Sequence, residues 1–230
     1  KKKSKYLVVS IHGAVDLSDK KLDEKVIFRG YNYNISNTDI ICISDGLLNL
    51  YDKYRVGYCL STNKHNFENV YLEIFNYYIK KFKYKKVIFI GSSAGGYPSI
   101  HFACKFNQYA IVSNPQLYLE KYVHFKDLIK NFGKKEKIIY KNNQIEGDIF
   151  KSKPKKIIFY NNKLDKTYID HTLPFLKFLK NNNLTNIIKL NLFEGDLTKN
   201  KHGKPHYIFW DKDSSKSAKN ILAEFLNEEI

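Results

Sequence analysis

The stretch that decides the fold is Val87–Phe106, which reads VIFIGSSAGGYPSIHFACKF. Its first four residues form a continuous apolar run of strand length, and Gly96–Phe106 has the pattern of a short helix. Between them, Ser93 lies at the centre of a G-x-S-x-G pattern. This order of strand, pattern and helix predicts a sharp turn that presents the Ser93 hydroxyl at the carboxyl end of a sheet.

The chemistry expected of this turn follows from its backbone. A strained central residue needs glycine or very small neighbours, and Gly91, Ala94 and Gly95 meet that need. The Ala94 amide then lies at a helix N-terminus, where it suits a developing oxyanion. A glycine-rich phosphate loop and a plain structural turn are the alternatives. Neither G-x-G-x-x-G nor a lysine-ended phosphate motif is present, so we interpret Ser93 as a nucleophile.

The rest of the chain alternates apolar runs of strand length with helical patterns. Strands are predicted at Tyr6–Ile11, Ile40–Ser44, Val87–Ile90, Tyr109–Val112, Lys156–Tyr160 and Asn186–Phe193, and helices at Phe67–Phe82, Gly96–Phe106, Tyr168–Lys180 and Ser214–Glu229. Strands that are apolar throughout and separated by helices are typically buried on both faces. The pattern therefore predicts an α/β fold with a mostly parallel sheet and helices on both faces.

The length of 230 residues fits one domain, 1–230. Residues 115–153 interrupt the alternation with amphipathic fragments and polar turns, and we interpret them as a small insertion over the site end of the sheet. Val26–Tyr33 fits either an edge strand or an irregular turn. No methionine occurs, even at position 1, which is consistent with a piece of a longer chain.

A serine nucleophile needs a general base and a carboxylate that orients the base. On a sheet of this kind the acid and then the base follow the serine, each in a loop after a later strand. Asp165 lies in the loop after the fifth predicted strand, and Asp170, inside the next helix, is the weaker alternative. After the last strand, His202 and His206 compete for the base. We favour His202, because the glycine that follows it suits a tight loop.

The loop after the first strand reads His12-Gly13-Ala14. On this fold that loop supplies the second amide of the oxyanion hole. A glycine lets the backbone approach a substrate oxygen, so we expect the donor to be the Gly13 or Ala14 amide, with His12 as a wall residue. The histidines on predicted helices, including His101, are interpreted as surface or packing residues.

The chain carries 39 Lys and Arg against 23 Asp and Glu, a formal charge of +16. This charge favours an anionic partner, although lysine spread along the whole chain also results from biased composition. The three cysteines lack metal-ligand spacing, so no metal site is expected, and they suit a reducing compartment. With no signal-peptide core and no apolar run of membrane length, we expect a cytoplasmic protein.

The order of Ser93, Asp165 and a late histidine resembles the α/β-hydrolase superfamily over nearly the whole chain. More narrowly, the sequence resembles small O-acetyltransferases and esterases of bacterial capsule and surface-polysaccharide gene clusters, of the meningococcal serogroup A capsule type. The stretches that carry this likeness are Ile90–Gly96, Ser113–Gln116 and Asp165–Tyr168. In that family glycines precede the catalytic histidine, whereas Lys201 precedes His202 here, which keeps His206 as an alternative.

The resemblance implies a serine acyl-transfer enzyme that adds or removes an acyl group, most often acetyl, on a sugar hydroxyl. In the transferase members the donor is acetyl-coenzyme A, which is a substrate and not a permanently bound cofactor. The implied partner is a carbohydrate or polysaccharide acceptor, anionic or neutral, and no nucleic acid is expected. Two other interpretations stay open: a non-catalytic hydrolase-like module that binds an anionic polymer, and a peptidase or lipase of the same fold.

Overall fold

The computed structural model of the chain describes residues 4–15, 28, 30, 32–50, 54–132, 136–142, 144–194 and 217–227. Within these residues six strands form one sheet: β1 Tyr6–Ile11, β2 Thr38–Ile43, β3 Lys86–Ser92, β4 Tyr109–Ser113, β5 Lys156–Asn162 and β6 Ile188–Phe193. Their order across the sheet is β2-β1-β3-β4-β5-β6, and each neighbouring pair is parallel. The predicted α/β fold with a mostly parallel sheet is confirmed.

Strand β3 lies inside the sheet, between β1 and β4. In the register, Gly91 pairs with Ile11 of β1, and Ser92 pairs with Ser113 of β4. Because the strands are parallel, the loops after β1, β3 and β4 leave the sheet at the same edge. The sheet therefore gathers three strand ends around the predicted nucleophile turn.

The strands are apolar throughout because helices cover both faces of the sheet. The consecutive residues Ile88 and Phe89 of β3 point to opposite faces. Ile88 belongs to a core that includes Leu222 of helix α7, Ala218–Asn227. The Phe89 ring lies 5.4 Å from the ring of Phe75 in the second, larger core. The predicted helices on both faces are thus confirmed.

The other helices of the described residues are α1 Gly46–Leu50, α2 Phe67–Phe82, α3 Gly96–Phe106, α4 Val123–Asn131, α5 Gln144–Lys151 and α6 Leu173–Asn181. Helices α2 and α3 have the predicted bounds. Helix α2 begins where the Asn66 side chain accepts a hydrogen bond from the Asn69 amide, at 3.1 Å. It ends at Lys83, which adopts the left-handed conformation with a φ of 51°.

Five of the six strands differ from their predicted bounds by one or two residues: β3, β4 and β5 end later than predicted, β6 begins later, and β2 begins and ends earlier. Two differences, one in a helix and one in a strand, have a local cause. The helix predicted at Tyr168–Lys180 opens with a π-helical turn, Tyr168–Thr172, before α6 begins. Pro174 explains this break, since proline has no amide hydrogen for the α-helical bond to the residue four positions earlier. Strand β2 ends at Ile43, before Ser44, because the Asp45 carboxylate caps α1 by accepting the Leu47 amide at 3.1 Å.

Helices α4 and α5 account for the amphipathic fragments in residues 115–153. Ser152, directly after α5, donates its hydroxyl hydrogen to the carbonyl oxygen of Cys104 on α3, at 2.7 Å. On α4, the ring of Phe125 lies 5.8 Å from the ring of Tyr58. Half of the residues in 26–33, namely 26, 27, 29 and 31, lie outside the described residues, so the choice between an edge strand and a turn stays open. None of the helices that the structure describes has both the length and the apolar character needed to cross a bilayer.

Candidate active site

The predicted nucleophile turn has the backbone conformation that its sequence requires. Ser93 has a φ of 53°, in the left-handed region that non-glycine residues rarely adopt. It begins a 3-10 turn, Ser93–Gly95, which continues directly into α3. The serine is 9% exposed. At Ser93 the left-handed φ does not end a helix, as it does at Lys83, but lies in a turn from a strand into a helix, where it is typical of a nucleophile position.

The glycines of the turn make room for neighbouring backbone. A Cβ on Gly91 would overlap the carbonyl group of Gly95. A Cβ on Gly95 would lie 2.5 Å from the carbonyl oxygen of Ile11 and 2.6 Å from that of His12. The end of β1 therefore packs directly on the turn, and no side chain fits between them.

The loop after β1 lies beside Ser93, as an oxyanion loop requires. A Cβ on Gly13 would lie 3.0 Å from the carbonyl oxygen of Ser92 and 3.6 Å from the Cβ of Ser93. Ala94, the other predicted amide donor, follows Ser93 at the start of the turn, where helical amides lack partners within the helix. The structure thus brings Ser93, Ala94 and Gly13 together.

The His12 side chain orients this loop. Its Nδ1 donates to the carbonyl oxygen of Gly13 at 2.7 Å, and its Nε2 accepts the amide hydrogen of Asp45 at 3.2 Å. A trans peptide directs its N–H opposite to its C=O. By holding the Gly13 carbonyl, the imidazole therefore fixes the direction of the Ala14 amide. The sequence had indicated only a wall residue at this position.

The stretch after β4 also reaches Ser93. The Gln116 backbone amide donates to the carbonyl oxygen of Ser93 at 2.9 Å, and its side-chain Nε2 donates to the Ser93 Oγ at 3.2 Å. The Tyr58 hydroxyl donates to Gln116 Oε1 at 2.6 Å. Gln116 belongs to the stretch Ser113–Gln116 that carries the family likeness, but no role was predicted for it. Its position just after a strand next to β3 also points to the site.

Asn114 connects this stretch to the loop that carries the predicted acid. It is fully buried and has a left-handed φ of 40°. Its Oδ1 accepts hydrogen bonds from the Asn161 side chain at 3.3 Å and from the Asn162 amide at 3.0 Å. The carboxyl ends of β4 and β5 are thereby joined by side-chain bonds as well as by the sheet.

Asp165 is buried in the loop after β5, with 4% of its surface exposed. Its Oδ1 accepts hydrogen bonds from the amide and the hydroxyl of Thr167, at 2.8 and 2.7 Å. The alternative acid, Asp170, lies in the π-helical turn and faces Lys166 at 3.8 Å near the surface. A carboxylate that is held by its own loop is the better candidate for orienting an imidazole.

Both candidate bases, His202 and His206, lie outside the described residues, which end at 194 and resume at 217. The hydrogen bonds of the base to Ser93 and to Asp165 therefore stay predictions. Among the described residues, no group of three or more His, Cys, Asp or Glu side chains is placed to hold a metal ion.

A small pocket opens beside the turn, with a cavity volume of about 10 Å³, which is room for about one water molecule. Its lining includes both apolar and polar residues: Ile11, His12, Gly13, Asp45, Val56, Gly57, Tyr58, Cys59, Ala94 and Pro98. Since Gly13 and Ala94 belong to the lining, the pocket adjoins the predicted oxyanion hole.

Asp45 is the acidic residue of the pocket lining. This carboxylate accepts hydrogen bonds from the Leu47 and Cys59 amides, each at 3.1 Å. Burial raises the pKa of Asp45, although hydrogen bonds from the backbone amides of Cys59, Leu47 and Gly57 oppose the shift. The carboxyl group holds the loop after β2 against the segment that carries Tyr58.

The architecture is that of known α/β-hydrolases. The capsule O-acetyltransferase of Neisseria meningitidis serogroup A is 18% identical, with a TM-score of 0.61 over 85% of this chain and 81% of that one. A structure of a mutant of the same enzyme contains CoA, and it is 17% identical, with a TM-score of 0.59 over 85% and 82%.

Two further proteins share the architecture with lower TM-scores. FphF, a fluorophosphonate-binding serine hydrolase of Staphylococcus aureus, is 17% identical, with a TM-score of 0.51 over 85% of this chain and 78% of that one. Est1E of Butyrivibrio proteoclasticus is 12% identical, with a TM-score of 0.52 over 97% and 88%. At such identities the likeness shows the fold, and the predicted α/β-hydrolase fold is confirmed.

Sequence comparison gives a family as well as a fold. None of the curated proteins matches the chain. The uncharacterised protein family UPF0227 matches residues 50–168, just over half of the chain. This span includes the nucleophile turn, Gln116 and Asp165. The chain therefore belongs to the UPF0227 family and has an α/β-hydrolase fold.

Proposed function

We propose that this protein is a serine acyl-transfer enzyme, with Ser93 as the nucleophile, Asp165 as the orienting acid and His202 as the base, His206 being the alternative. The observation that carries the proposal is the left-handed Ser93, packed against the Gly13 loop and contacted by Gln116. A module that only binds a polymer gains nothing from a strained serine in this position.

In the acylation step, the Ser93 Oγ attacks the carbonyl carbon of an acyl donor while its proton passes to His202. The carbonyl oxygen becomes an oxyanion, which the Ala94 amide and the Gly13–Ala14 loop stabilise. The tetrahedral intermediate then expels the leaving group of the donor, which takes the proton from His202. Throughout, Asp165 holds the imidazole and stabilises its charged form.

In the second step, His202 removes a proton from water or from a sugar hydroxyl, and the resulting oxygen attacks the acyl-Ser93 carbonyl. The Ser93 Oγ leaves and recovers its proton. Water gives an esterase, whereas a sugar hydroxyl gives a transferase. We propose that residues 115–153 form an insertion over the site that limits the entry of water; the contact of Phe125 with Tyr58 at the pocket supports this.

The proposed acyl group is acetyl, and the proposed acceptor is a bacterial surface polysaccharide or another carbohydrate. The pocket beside Ala94 has no room for a long acyl chain, which supports a short one. The fold shared with a capsule O-acetyltransferase that binds CoA supports acetyl-coenzyme A as the donor substrate. The charge of +16 suits the phosphates of that donor or an anionic glycan.

The test is labelling of the purified protein with a fluorophosphonate, followed by mass spectrometry of the modified peptide. We expect labelling at Ser93, complete loss of labelling in Ser93→Ala, and retention in the matched control Ser92→Ala. A fluorophosphonate reacts only with an activated serine. Labelling of Ser93→Ala at the rate of the unmodified protein would remove the assignment of the nucleophile.

The same labelling assay identifies the base. We expect His202→Ala to reduce the labelling rate about a thousandfold, because Ser93 then keeps its proton, and His206→Ala to reduce it far less. The reverse pattern would make His206 the base and leave the nucleophile unchanged.

A further inference from the structure

A chain of two hydrogen bonds ends on the nucleophile oxygen. The Tyr58 hydroxyl donates to Gln116 Oε1 at 2.6 Å, and Gln116 Nε2 donates to the Ser93 Oγ at 3.2 Å. Tyr58 lies 58 residues from Gln116, and Gln116 lies 23 residues from Ser93. All three residues are buried. The bonds therefore join three separate segments of the chain at the reacting atom.

Gln116 is fixed relative to the nucleophile by its backbone as well as by its side chain. Its amide donates to the Ser93 carbonyl oxygen at 2.9 Å. The preceding residue, Pro115, packs so closely on Gly96 that a Cβ added to Gly96 would overlap the Pro115 side chain. The carboxamide therefore meets the Ser93 Oγ from a rigid support, which is the condition for an electrostatic contribution to catalysis.

Tyr58 determines which end of the Gln116 carboxamide faces the serine. Its ring is wedged between the rings of Tyr97 and Phe125, at 6.2 and 5.8 Å. Burial raises the pKa of Tyr58, so its hydroxyl keeps its hydrogen. A hydroxyl that donates to Gln116 Oε1 leaves the amide NH₂ group to face Ser93.

We propose that Gln116 is a catalytic residue that donates a hydrogen bond to the Ser93 Oγ, and that Tyr58 is the positioning residue that orients it. This inference rests on the proposed role of Ser93 as nucleophile. A serine hydroxyl has one hydrogen to give and two lone pairs that accept. The Gln116 donor occupies a lone pair, so the hydroxyl hydrogen stays available for the base.

The donor stabilises the serine oxygen whenever that oxygen carries negative charge. During acylation, charge develops on the Ser93 Oγ as its proton passes to the base and before its bond to the acyl carbon is complete. During deacylation, the same oxygen leaves the acyl carbon and again carries charge until it is reprotonated. A fixed N–H at this position lowers both barriers, as an oxyanion-hole donor does for the substrate oxygen.

The first test measures the rate of fluorophosphonate labelling in Gln116→Met and Gln116→Glu. Methionine keeps the length of the side chain without a donor, and we expect about a 100-fold loss. Glutamate keeps the shape but places a carboxylate against the charged oxygen, so we expect at least the same loss. If Gln116→Glu reacts as fast as the unmodified protein, the carboxamide accepts rather than donates, and the proposal is wrong.

The second test measures coupling between Tyr58 and Gln116. We expect Tyr58→Phe to lower the labelling rate about five- to tenfold, and to lower it no further when Gln116→Met is already present. If Tyr58 has a purely structural role, the losses in labelling rate of the two variants add in the double variant, and the proposed positioning role is wrong. Tyr84→Phe, which removes a hydroxyl bonded to Asp39 at the edge of the sheet, is the matched control and should label at the full rate.

The outcomes separate the two proposals. Labelling of Ser93 in the unmodified protein supports the nucleophile, and equal labelling of the Gln116 variants would then reject only the catalytic donor. A protein that does not label at all would reject both. Melting temperatures of every variant, measured alongside, show whether a slow rate reflects loss of the fold.

Discussion

Gly95 is needed in the turn after β3 for space. It allows the end of β1 to approach, since the carbonyl oxygens of Ile11 and His12 lie within 2.6 Å of the position that a Cβ would take. Ordinary contacts of a methyl group are about 3.5–4.0 Å. Any side chain at this residue must push the oxyanion loop away from the nucleophile.

We therefore predict that Gly95→Ala lowers the free energy of unfolding by about 1–3 kcal/mol, the usual cost of an overpacked core. It should also slow fluorophosphonate labelling at least tenfold, because the loop and the serine move apart. Urea unfolding and labelling rates give the two measurements. A variant with normal stability and normal labelling would show that the loop does not contact the turn in solution.

Gly147 is the matched control for this substitution. It lies in α5, and a Cβ there would meet nothing within 4 Å. Alanine is the better helix former, so Gly147→Ala should raise the free energy of unfolding by about 0.5–1 kcal/mol and leave labelling unchanged. We therefore expect Gly95→Ala to lower the free energy of unfolding and Gly147→Ala to raise it.

At the scale of elements, a buried charged cluster joins α2, α3 and α5. His101 on α3 contacts Asp148 on α5 at 2.6 Å and Glu68 on α2 at 3.1 Å. Lys105, one turn further along α3, pairs with the same Glu68 oxygen at 3.1 Å. The sequence placed His101 on a helix and predicted a surface or packing residue. The structure buries it as a packing residue and also makes it a link between three helices.

The pKa shifts in this cluster predict how stability depends on pH. Burial alone would lower the pKa of His101, but the hydrogen bonds and charges of Asp148 and Glu68 raise it. The hydrogen bond from His101 lowers the pKa of Glu68 to about 2. The folded state thus holds the His101 proton to a higher pH than the unfolded chain does. The contribution of His101 is complete below about pH 6.5 and is lost as the pH rises through its raised pKa.

We predict that His101→Gln lowers the free energy of unfolding by about 3 kcal/mol near pH 6, because it leaves the buried Asp148 without a charged partner. Between about pH 6.5 and the raised pKa of His101, the unmodified protein should lose up to about 1.4 kcal/mol per pH unit more than the variant. Urea unfolding across this range measures both quantities.

His124→Gln on α4 is the control for the His101 substitution. Within the part of the chain that the structure describes, no ion pair involves His124. The pH dependence of this variant should match that of the unmodified protein. If the pH dependence of His101→Gln also matches that of the unmodified protein, the pKa of His101 is not raised in this cluster.

The strands and the turn after β3 could be predicted from the sequence because a local pattern encodes each of them. Strands buried on both faces read as continuous apolar runs, and the nucleophile turn shows its glycines within six residues, Gly91–Gly96. The contacts around the site lack such a pattern. Gln116 meets Tyr58 across 58 residues, and Asp148 meets His101 across 47, so periodicity along one helix or strand carries no signal of either. Sequence spacing likewise does not separate His202 from His206.

At the scale of the whole molecule, the charge of +16 has two possible origins. A biased composition would spread lysine without any effect on binding. If the charge serves to bind an anionic partner, it raises the local concentration of that partner at the surface. This attraction weakens with salt, because the Debye length falls from about 30 Å at 0.01 M to about 3 Å at 1 M. Salt dependence therefore distinguishes the two origins.

The assay for this distinction also separates a transferase from an esterase. At saturating acetyl-coenzyme A, we expect free thiol to appear only when a polysaccharide acceptor is present. With an anionic polysaccharide, the rate should fall about tenfold between about 0.05 and 0.5 M salt, whereas a neutral glucan should show less than about a twofold change. Thiol release without any acceptor would indicate hydrolysis. Electrostatic steering acts on the anionic polysaccharide and leaves the neutral glucan unaffected. Equal salt dependence of the two rates would therefore mean that the charge results from biased composition.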